Sequence, residues 1–391
     1  MISVSEARKL IFENCSQESV ENRSLAGSQA FVLANPVYSP VDTPPFDQSA
    51  MDGFAFSFEN WDGQSNLEVC GEIQAGNDDV FEIKSMQAAR IFTGAAMPTG
   101  ADTVVMQEQV TKDGKLIHIE NAQLAKGANV RPRGSQTKKG ELALDKGQLL
   151  TAPAISFLAG IGIDKVDVFS KPIISIIITG KELIQPGEDI ADGKIYESNS
   201  FGLVAGLSAL GITPISVEVV DDVEEEIIKA ITNQLDCDIL ILTGGVSVGD
   251  YDFVPKTLER CGVKNIFHKV KQKPGKPIYF GKRNRTLVFG LPGNPASVLT
   301  CFYEYVVPAI SYFTKRQYLK KLKLPLSHDF TKKAGLTFFL KGKANREEVA
   351  ILNNQASYLM NSFAIADCLI ELEDDKEQFT NGELVDVLMI A

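Results

Sequence analysis

The chain has 391 residues, 44% of them hydrophobic and 23% charged, with a formal net charge of −11 at pH 7. Single hydrophobic cores stop growing near ~250–300 residues, so two to four domains are expected. The composition excludes a disordered or fibrous chain, the acidic balance argues against a nucleic-acid partner, and apolar runs such as IISIIIT are far shorter than the ~20 residues of a membrane span.

The six cysteines (Cys15, Cys70, Cys237, Cys261, Cys301, Cys368) form no C-x-x-C pair and no metal-ligand spacing, so buried free thiols are expected. The N-terminus lacks a basic segment ahead of an apolar stretch, and a cytoplasmic location is expected. Ser3-Val-Ser-Glu6 is a capping box and predicts a short amphipathic helix to about Asn14. From Phe31 to Gln148 the sequence breaks into short β-like runs cut by Gly, Pro, Asn and Asp. TAPAISFLAGIG, Thr151 to Gly162, reads as a helix closed by glycine and packed beside the N-terminal helix.

Residues 172–313 alternate strand-length apolar runs with helix-length segments. The order is IISIIIT, a helix near 199–210, ISVEVV, a helix over 223–235, DILILT, a helix over 253–261, NIFHKV, PIYFG, TLVFGL and a long helix from Pro295. This alternation predicts a parallel sheet covered on both faces. The basic run from Lys315 to Lys323 reads as a solvated linker, and EVAILN, CLIELE and LVDVLMI beyond it predict a small barrel or sandwich.

The unusual residues fall at the carboxyl ends of these strands, the edge where open α/β sheets bind ligands. Thr179-Gly180-Lys181-Glu182 follows the first strand, Asp221-Asp222 the second and Gly244-Gly245 through Asp252 the third. Lys273-Pro-Gly-Lys276-Pro277 follows NIFHKV, and Pro292-Gly293-Asn294-Pro295-Ala-Ser297 follows TLVFGL. Glycines without side chains let a phosphate approach backbone N–H groups, although Gly244-Gly245 also suits a plain tight turn. LPGNPAS also reads as a helix start with Asn294 as cap. Lys273 and Lys276 can both face a tetrahedral anion. Glu182, Asp221, Asp250 and Asp252 are hard oxygen donors of the kind that bind Mg²⁺ together with substrate phosphates, with Asp222 an alternative to Asp221. The run at 221–226 also suits an acidic helix start.

Gly245-Val-Ser247-Val-Gly249 matches the G-x-S-x-G nucleophile elbow, which makes a serine hydrolase using Ser247 a remote alternative. Its helix is delayed to about Phe253, His268 sits inside a strand, His328 lies beyond the α/β region, and no HGGG-type segment supplies an oxyanion hole. Ser247 is therefore read as an anion-loop residue.

PPFDQSAMDGFA (Pro44 to Ala55), RIFTGAAMPTGADTVVMQE (Arg90 to Glu108), TGKEL, GKIYESNS, TGGVSVGDYD, KPGKP and GLPGNPAS occur in that order. Together they resemble the signatures of the MoeA-type molybdopterin molybdenumtransferase family, and are similar also to the gephyrin E domain. The resemblance implies a multi-domain α/β plus β fold. Residues 1–30 and 149–171 would form a helical linker domain and 31–148 a β-rich insertion domain. Residues 172–318 would form a central three-layer α/β/α molybdopterin-binding domain, and 319–391 a C-terminal β-barrel.

The implied activity is insertion of molybdate into adenylylated molybdopterin, with Mg²⁺-dependent release of AMP. The implied partners are those two substrates, a second copy of the chain and other molybdenum-cofactor synthesis proteins. Asp52, Thr93, Glu182, Asp221 and Asp252 would be the catalytic residues, with Glu182, Asp221 and Asp252 at the metal. Lys273, Lys276, Pro277 and Ser297 would hold molybdate. Gly244, Gly245, Ser247, Asp250, Pro292, Gly293 and Pro295 would shape the pterin and phosphate pocket. The β-rich domain, carrying Asp52 and Thr93, would help close the partner's site.

Departures from the pattern are Lys181 where Asp is usual, Gln136 where an acidic residue is common, and FFLK (Phe338 to Lys341) in place of an EFHR-like segment. Lys341 would give an oxyanion contact without the arginine fork, and Ser357 matches a family serine. A pterin-binding scaffold with weak or no catalysis is the second reading.

Overall fold

The computed structural model describes residues 1–15, 19–76, 82–245 and 254–390. The chain divides into two units, Asn22–Val168 and a second formed by Met1–Glu21 with Phe169–Ala391. Among the described residues, no helix is long and apolar enough to cross a membrane.

The second unit is built on α1 (Val4–Asn14) and six strands: β1 (Ile174–Thr179), β2 (Ser216–Val220), β3 (Ile239–Thr243), β4 (Lys264–His268), β5 (Tyr279–Arg283) and β6 (Thr286–Leu291). Their spatial order is β2-β1-β3-β6-β5-β4. β2, β1, β3 and β6 run parallel, whereas β5 is antiparallel to both of its neighbours. The sheet is thus mixed rather than all-parallel. Residues 269–278 join β4 to β5 without a crossover helix, and a strand that returns beside its predecessor without one runs the other way. β4 keeps the direction of β1, β3 and β6, so its carboxyl end still points to the same edge.

β1, β3 and β6 are buried at every position, as a sheet covered on both faces requires. Alternate residues enter two clusters. Ile176, Ile178, Ile241 and Phe289 pack with α2 (Asn199–Ala209) and with the helical segment that follows β6. Ile177, Leu240, Leu242 and Val288 pack with α3 (Glu224–Gln234) and α4 (Val254–Arg260). The segment after β6 comprises α5 (Pro295–Cys301), a wide turn over Phe302–Val306 and α6 (Val307–Thr314). Val307 N–H reaches back five residues to Phe302 O, one residue before Pro308, which has no N–H to give.

α1 starts as the capping box predicts, with Ser3 Oγ accepting from Glu6 N at 3.1 Å. Its apolar face (Val4, Ala7, Ile11) joins the first of the two clusters. The helix Ala152–Gly160, capped by Thr151, instead buries Leu158 against Leu25, Phe31, Leu33 and Leu150. The two helices expected to pair bury their apolar residues in different cores.

Within the same unit, Thr337–Ala344, Cys368–Leu372, Leu384–Met389 and Lys320–Pro325 form a sheet over Leu340, Ile370, Leu372 and Val387. Lys320–Pro325 pairs antiparallel with Leu384–Met389, so the lysines read as linker stand on an edge strand, where charge discourages further pairing. The other unit carries a six-stranded sheet of short strands in the order Thr103–Met106, Gly53–Phe56, Gln87–Ile91, Leu67–Ile73, Leu116–Ile119, Val110–Asp113.

Arg8 ties α1 to two other elements. Its guanidinium donates to Glu371 at 3.0 and 2.8 Å and to Glu304 in the wide turn. Glu304 is 2% exposed, and burial raises its carboxyl above the ordinary glutamate range while Arg8 opposes that rise. A carboxyl raised on folding contributes stability below its unfolded pKa and loses it as pH rises through the folded value. Arg8→Met should therefore cost about 3–5 kcal/mol at neutral pH by leaving Glu304 unpaired. The loss should shrink at acidic pH, where the Glu304 carboxyl, raised by burial and no longer opposed by Arg8, takes a proton. Equal losses at both pH values in urea denaturation would refute this account.

Candidate functional site

The carboxyl ends of the central strands open into a cleft of about 410 Å³. Thr179 and Glu182 reach it from the end of β1, Asp222 from β2, Gly244 and Gly245 from β3, and Pro277 from the β4–β5 connection. Pro292, Gly293, Asn294 and Pro295 reach it from β6. Gly244 has φ 89°, and a Cβ there would lie 2.3 Å from Thr179 O and 2.7 Å from Thr179 Oγ1. Only glycine allows the ends of β1 and β3 to close this far.

Asn294 stands at the N-cap of the helix from Pro295, as expected, but its side chain makes no capping bond. Asn294 O accepts from Ser297 N at 2.9 Å and Val298 N at 3.0 Å, while the Asn294 side chain turns away and donates to Ser357 Oγ at 3.1 Å. Ser357 O in turn accepts from Ala296 N at 3.2 Å. Ser357 therefore docks on the start of α5, and Ser297 is buried one turn inside it.

GKIYESNS supplies more of the site than its sequence alone suggests. Ile195, Tyr196, Ser198 and Asn199 line the cleft, and Asn199 Nδ2 donates to Gly293 O at 2.9 Å. Glu197 is buried and accepts from Ser200 N at 2.8 Å and from Ser200 Oγ, which fixes the start of α2. A carboxylate three residues ahead of an amide at a helix start was the available signal.

Glu182 and Asp222 share the cleft, whereas Asp221 is exposed just before Asp222. Ser247, Asp250 and Asp252 lie outside the described residues. Among the described residues no three carboxylate, histidine or cysteine side chains gather into a metal cage. Mg²⁺ bound jointly with substrate phosphates needs only one or two protein carboxylates, which Glu182 and Asp222 fit.

Lys273 and Lys276 are both exposed. Gln272–Lys273 pairs in parallel with Thr337–Phe338, and Lys273 Nζ lies 5.1 Å from the centre of the Phe338 ring. Lys276 directly precedes Pro277 of the cleft wall. Lys181 is exposed beside Glu182.

Lys341 takes a different role from the oxyanion contact expected of it. It is 3% exposed, and Nζ donates to the carbonyls of Asn354 at 2.8 Å, Leu359 at 3.0 Å and Ala356 at 3.3 Å. The Gln355 side chain brackets its backbone, accepting from Lys341 N at 2.9 Å and donating to Lys341 O at 2.8 Å. All three ammonium hydrogens are engaged, so Lys341 organises the loop that carries Ser357. Burial lowers its pKa.

In the β-rich unit the structure joins Asp52 and Thr93. Thr93 N and Thr93 Oγ1 both donate to Asp52 Oδ1 at 2.8 Å. These two bonds, the backbone one first, hold the Asp52 carboxyl below the ordinary aspartate range, with Arg90 adding to the effect.

Family models match three successive segments: the MoeA N-terminal region (domain I and II) over residues 2–162, a probable molybdopterin binding domain over 175–312, and the MoeA C-terminal region (domain IV) over 323–390. A molybdopterin molybdenumtransferase of Haemophilus influenzae is 35% identical over 403 aligned residues, covering 99% of this chain and 98% of that protein. The chain belongs to the molybdopterin molybdenumtransferase family. A Nostoc family member is 38% identical over 326 residues, covering 79% of this chain and 74% of its own. Two solved MoeA proteins of Pyrococcus horikoshii superpose over 100% of this chain, at 28% and 30% identity, with TM-scores of 0.86 and 0.79. They cover 99% and 100% of their own chains.

Because both donors to Asp52 come from Thr93, Thr93→Val should raise the Asp52 pKa part of the way to its ordinary value, the backbone bond remaining. The stabilisation from this pair is present above the ordinary aspartate pKa and is lost as pH falls through the lowered one. Carbon-detected NMR titration of Asp52 checks it, and an unshifted midpoint would contradict the pairing.

Proposed function

We propose that the protein inserts molybdate into adenylylated molybdopterin and releases AMP, completing the molybdenum cofactor. The observation that carries this reading is the convergence of Gly244-Gly245, Glu182, Asp222 and the Pro277 and Pro292–Pro295 turns on one cleft, in a member of this family. The glycine backbone of the β3 turn accommodates the phosphate groups. Glu182 and Asp222, with Asp221 next to Asp222 and Asp252 in the segment that follows Gly245, would hold Mg²⁺. When bound, that ion neutralises charge on the phosphate oxygens during cleavage.

Lys273, Lys276, Pro277 and Ser297 receive molybdate, and the dithiolene sulfurs that bind it belong to the substrate. The cysteines suit that division of labour. All six are free, and burial pushes the Cys15 and Cys368 thiols up to about 12 and Cys237 to about 11, far from nucleophilic thiolates. The finer architecture proposed is a three-layer α/β/α central domain, supported by the two clusters flanking the sheet, and a C-terminal β-barrel, in a cytoplasmic homodimer.

Purified protein given adenylylated molybdopterin, Mg²⁺ and molybdate should release AMP, and Lys276→Ala should raise the molybdate KM about tenfold or more while leaving the fold intact. Pterin binding without AMP release would favour the scaffold reading instead. That reading draws on one observation, the engagement of Lys341 away from any oxyanion.

The homodimer is tested by mixing Asp52→Ala chains with Lys276→Ala chains. Partial return of AMP release is expected if the β-rich region of one chain serves its partner. Verified heterodimers without recovery would exclude shared sites.

A further inference from the structure

The loop that carries Lys273 and Lys276 has no helix or long strand of its own, yet its path is closely determined. Gln272, directly ahead of KPGKP, is fully buried. Its Nε2 donates to Pro274 O at 3.0 Å and approaches Cys301 Sγ at 3.6 Å, and its Oε1 accepts from the hydroxyl of Tyr305. The orientation of the amide is dictated chemically. Pro274 O can only accept, so the nitrogen must face it, which leaves the oxygen for the phenol.

Tyr305 is itself fully buried, in the wide turn after α5. Cys301 donates to Gly275 O at 3.8 Å, and a Cβ on Gly275, whose φ is 86°, would stand 2.5 Å from Cys301 Sγ. Cys301 at the end of α5 and Tyr305 in the wide turn thus hold the underside of the loop, and Gln272 is the link between them and the loop backbone.

We infer that Gln272 is a positioning residue for the reaction: through Tyr305 and Pro274 it fixes the backbone on which Lys273 and Lys276 are presented to the oxyanion. Neither the glycine nor the lysines of the motif can do this, since their own side chains are absent or exposed. An aliphatic residue of the same length fills the space but leaves Pro274 O and the Tyr305 hydroxyl buried without a partner, and the loop relaxes to find others. The inference rests on the reading that these lysines hold molybdate.

The test is Gln272→Met, with Tyr305→Phe as the milder variant and Lys276→Ala as the control for the reading itself. Gln272→Met should raise the molybdate KM about tenfold, with pterin affinity and AMP release at saturating molybdate within about twofold of the parent. Amide hydrogen exchange across 271–278 should quicken in the same variant without substrate present. Tyr305→Phe should shift both readouts in the same direction by less, and it carries the test if Gln272→Met does not fold.

If Lys276→Ala raises the molybdate KM and the Gln272 and Tyr305 variants leave it unchanged, the positioning role is wrong. If Lys276→Ala has no effect on molybdate, the oxyanion reading fails on its own. Gln272 is then judged by exchange alone, and unchanged exchange across 271–278 overturns it.

Discussion

The near-contact between Thr179 O and the backbone of Gly244 is the constraint on which the site depends. Two parallel strands end there with no side chain between them, and that closeness decides what can stand around the rim. Glu182 leaves the β1 end in the direction of the cleft, and the β6 turn at Pro292–Pro295 settles against the same glycine, so that a Cβ on Gly293 would stand 3.8 Å from Gly244 Cα. Each neighbouring turn then has a fixed wall to pack on. Asn199 completes the arrangement by bonding Gly293 from the start of α2.

Much of this was legible in the sequence, for a physical reason. Apolar runs of strand length separated by helix-length segments admit few topologies, and the polar turns between them must collect at the carboxyl edge. β1, β3 and β6 lie where that logic puts them, as do Gly244 and Gly245 and the turns after β1 and β6. The reversal of β5 was harder to see, because PIYFG is as apolar as its parallel neighbours and only the helix-free connection distinguishes it. The two helices expected to pair illustrate a different limit. One has an apolar stripe and the other is apolar nearly all round, but neither pattern says which core the helix faces.

The lysines show how little residue type reveals about role. Lys341 sits in a segment that suggested a ligand contact, yet three carbonyls surround it, and nothing local in FFLK distinguishes an exposed ammonium from a buried one. The carbonyls come from a loop more than ten residues downstream, so the pairing is invisible to a window reading. Lys273 and Lys276 remain at the surface because prolines restrict their loop and Gln272, Cys301 and Gly275 occupy its underside.

The parallel pairing of Gln272–Lys273 with Thr337–Phe338 bears on how separable the parts of this unit are. In a modular reading, the sheet after residue 320 is an appendage that could be trimmed away. Here it is the lateral support of a two-residue strand whose second member is one of the exposed cations. A chain cut before that sheet would lose the Thr337 N to Lys271 O bond and the Phe338 ring under Lys273 together. The sheet and the lysine loop are therefore one mechanical piece, inherited or lost as a whole, although some sixty residues of chain separate Lys273 from Thr337.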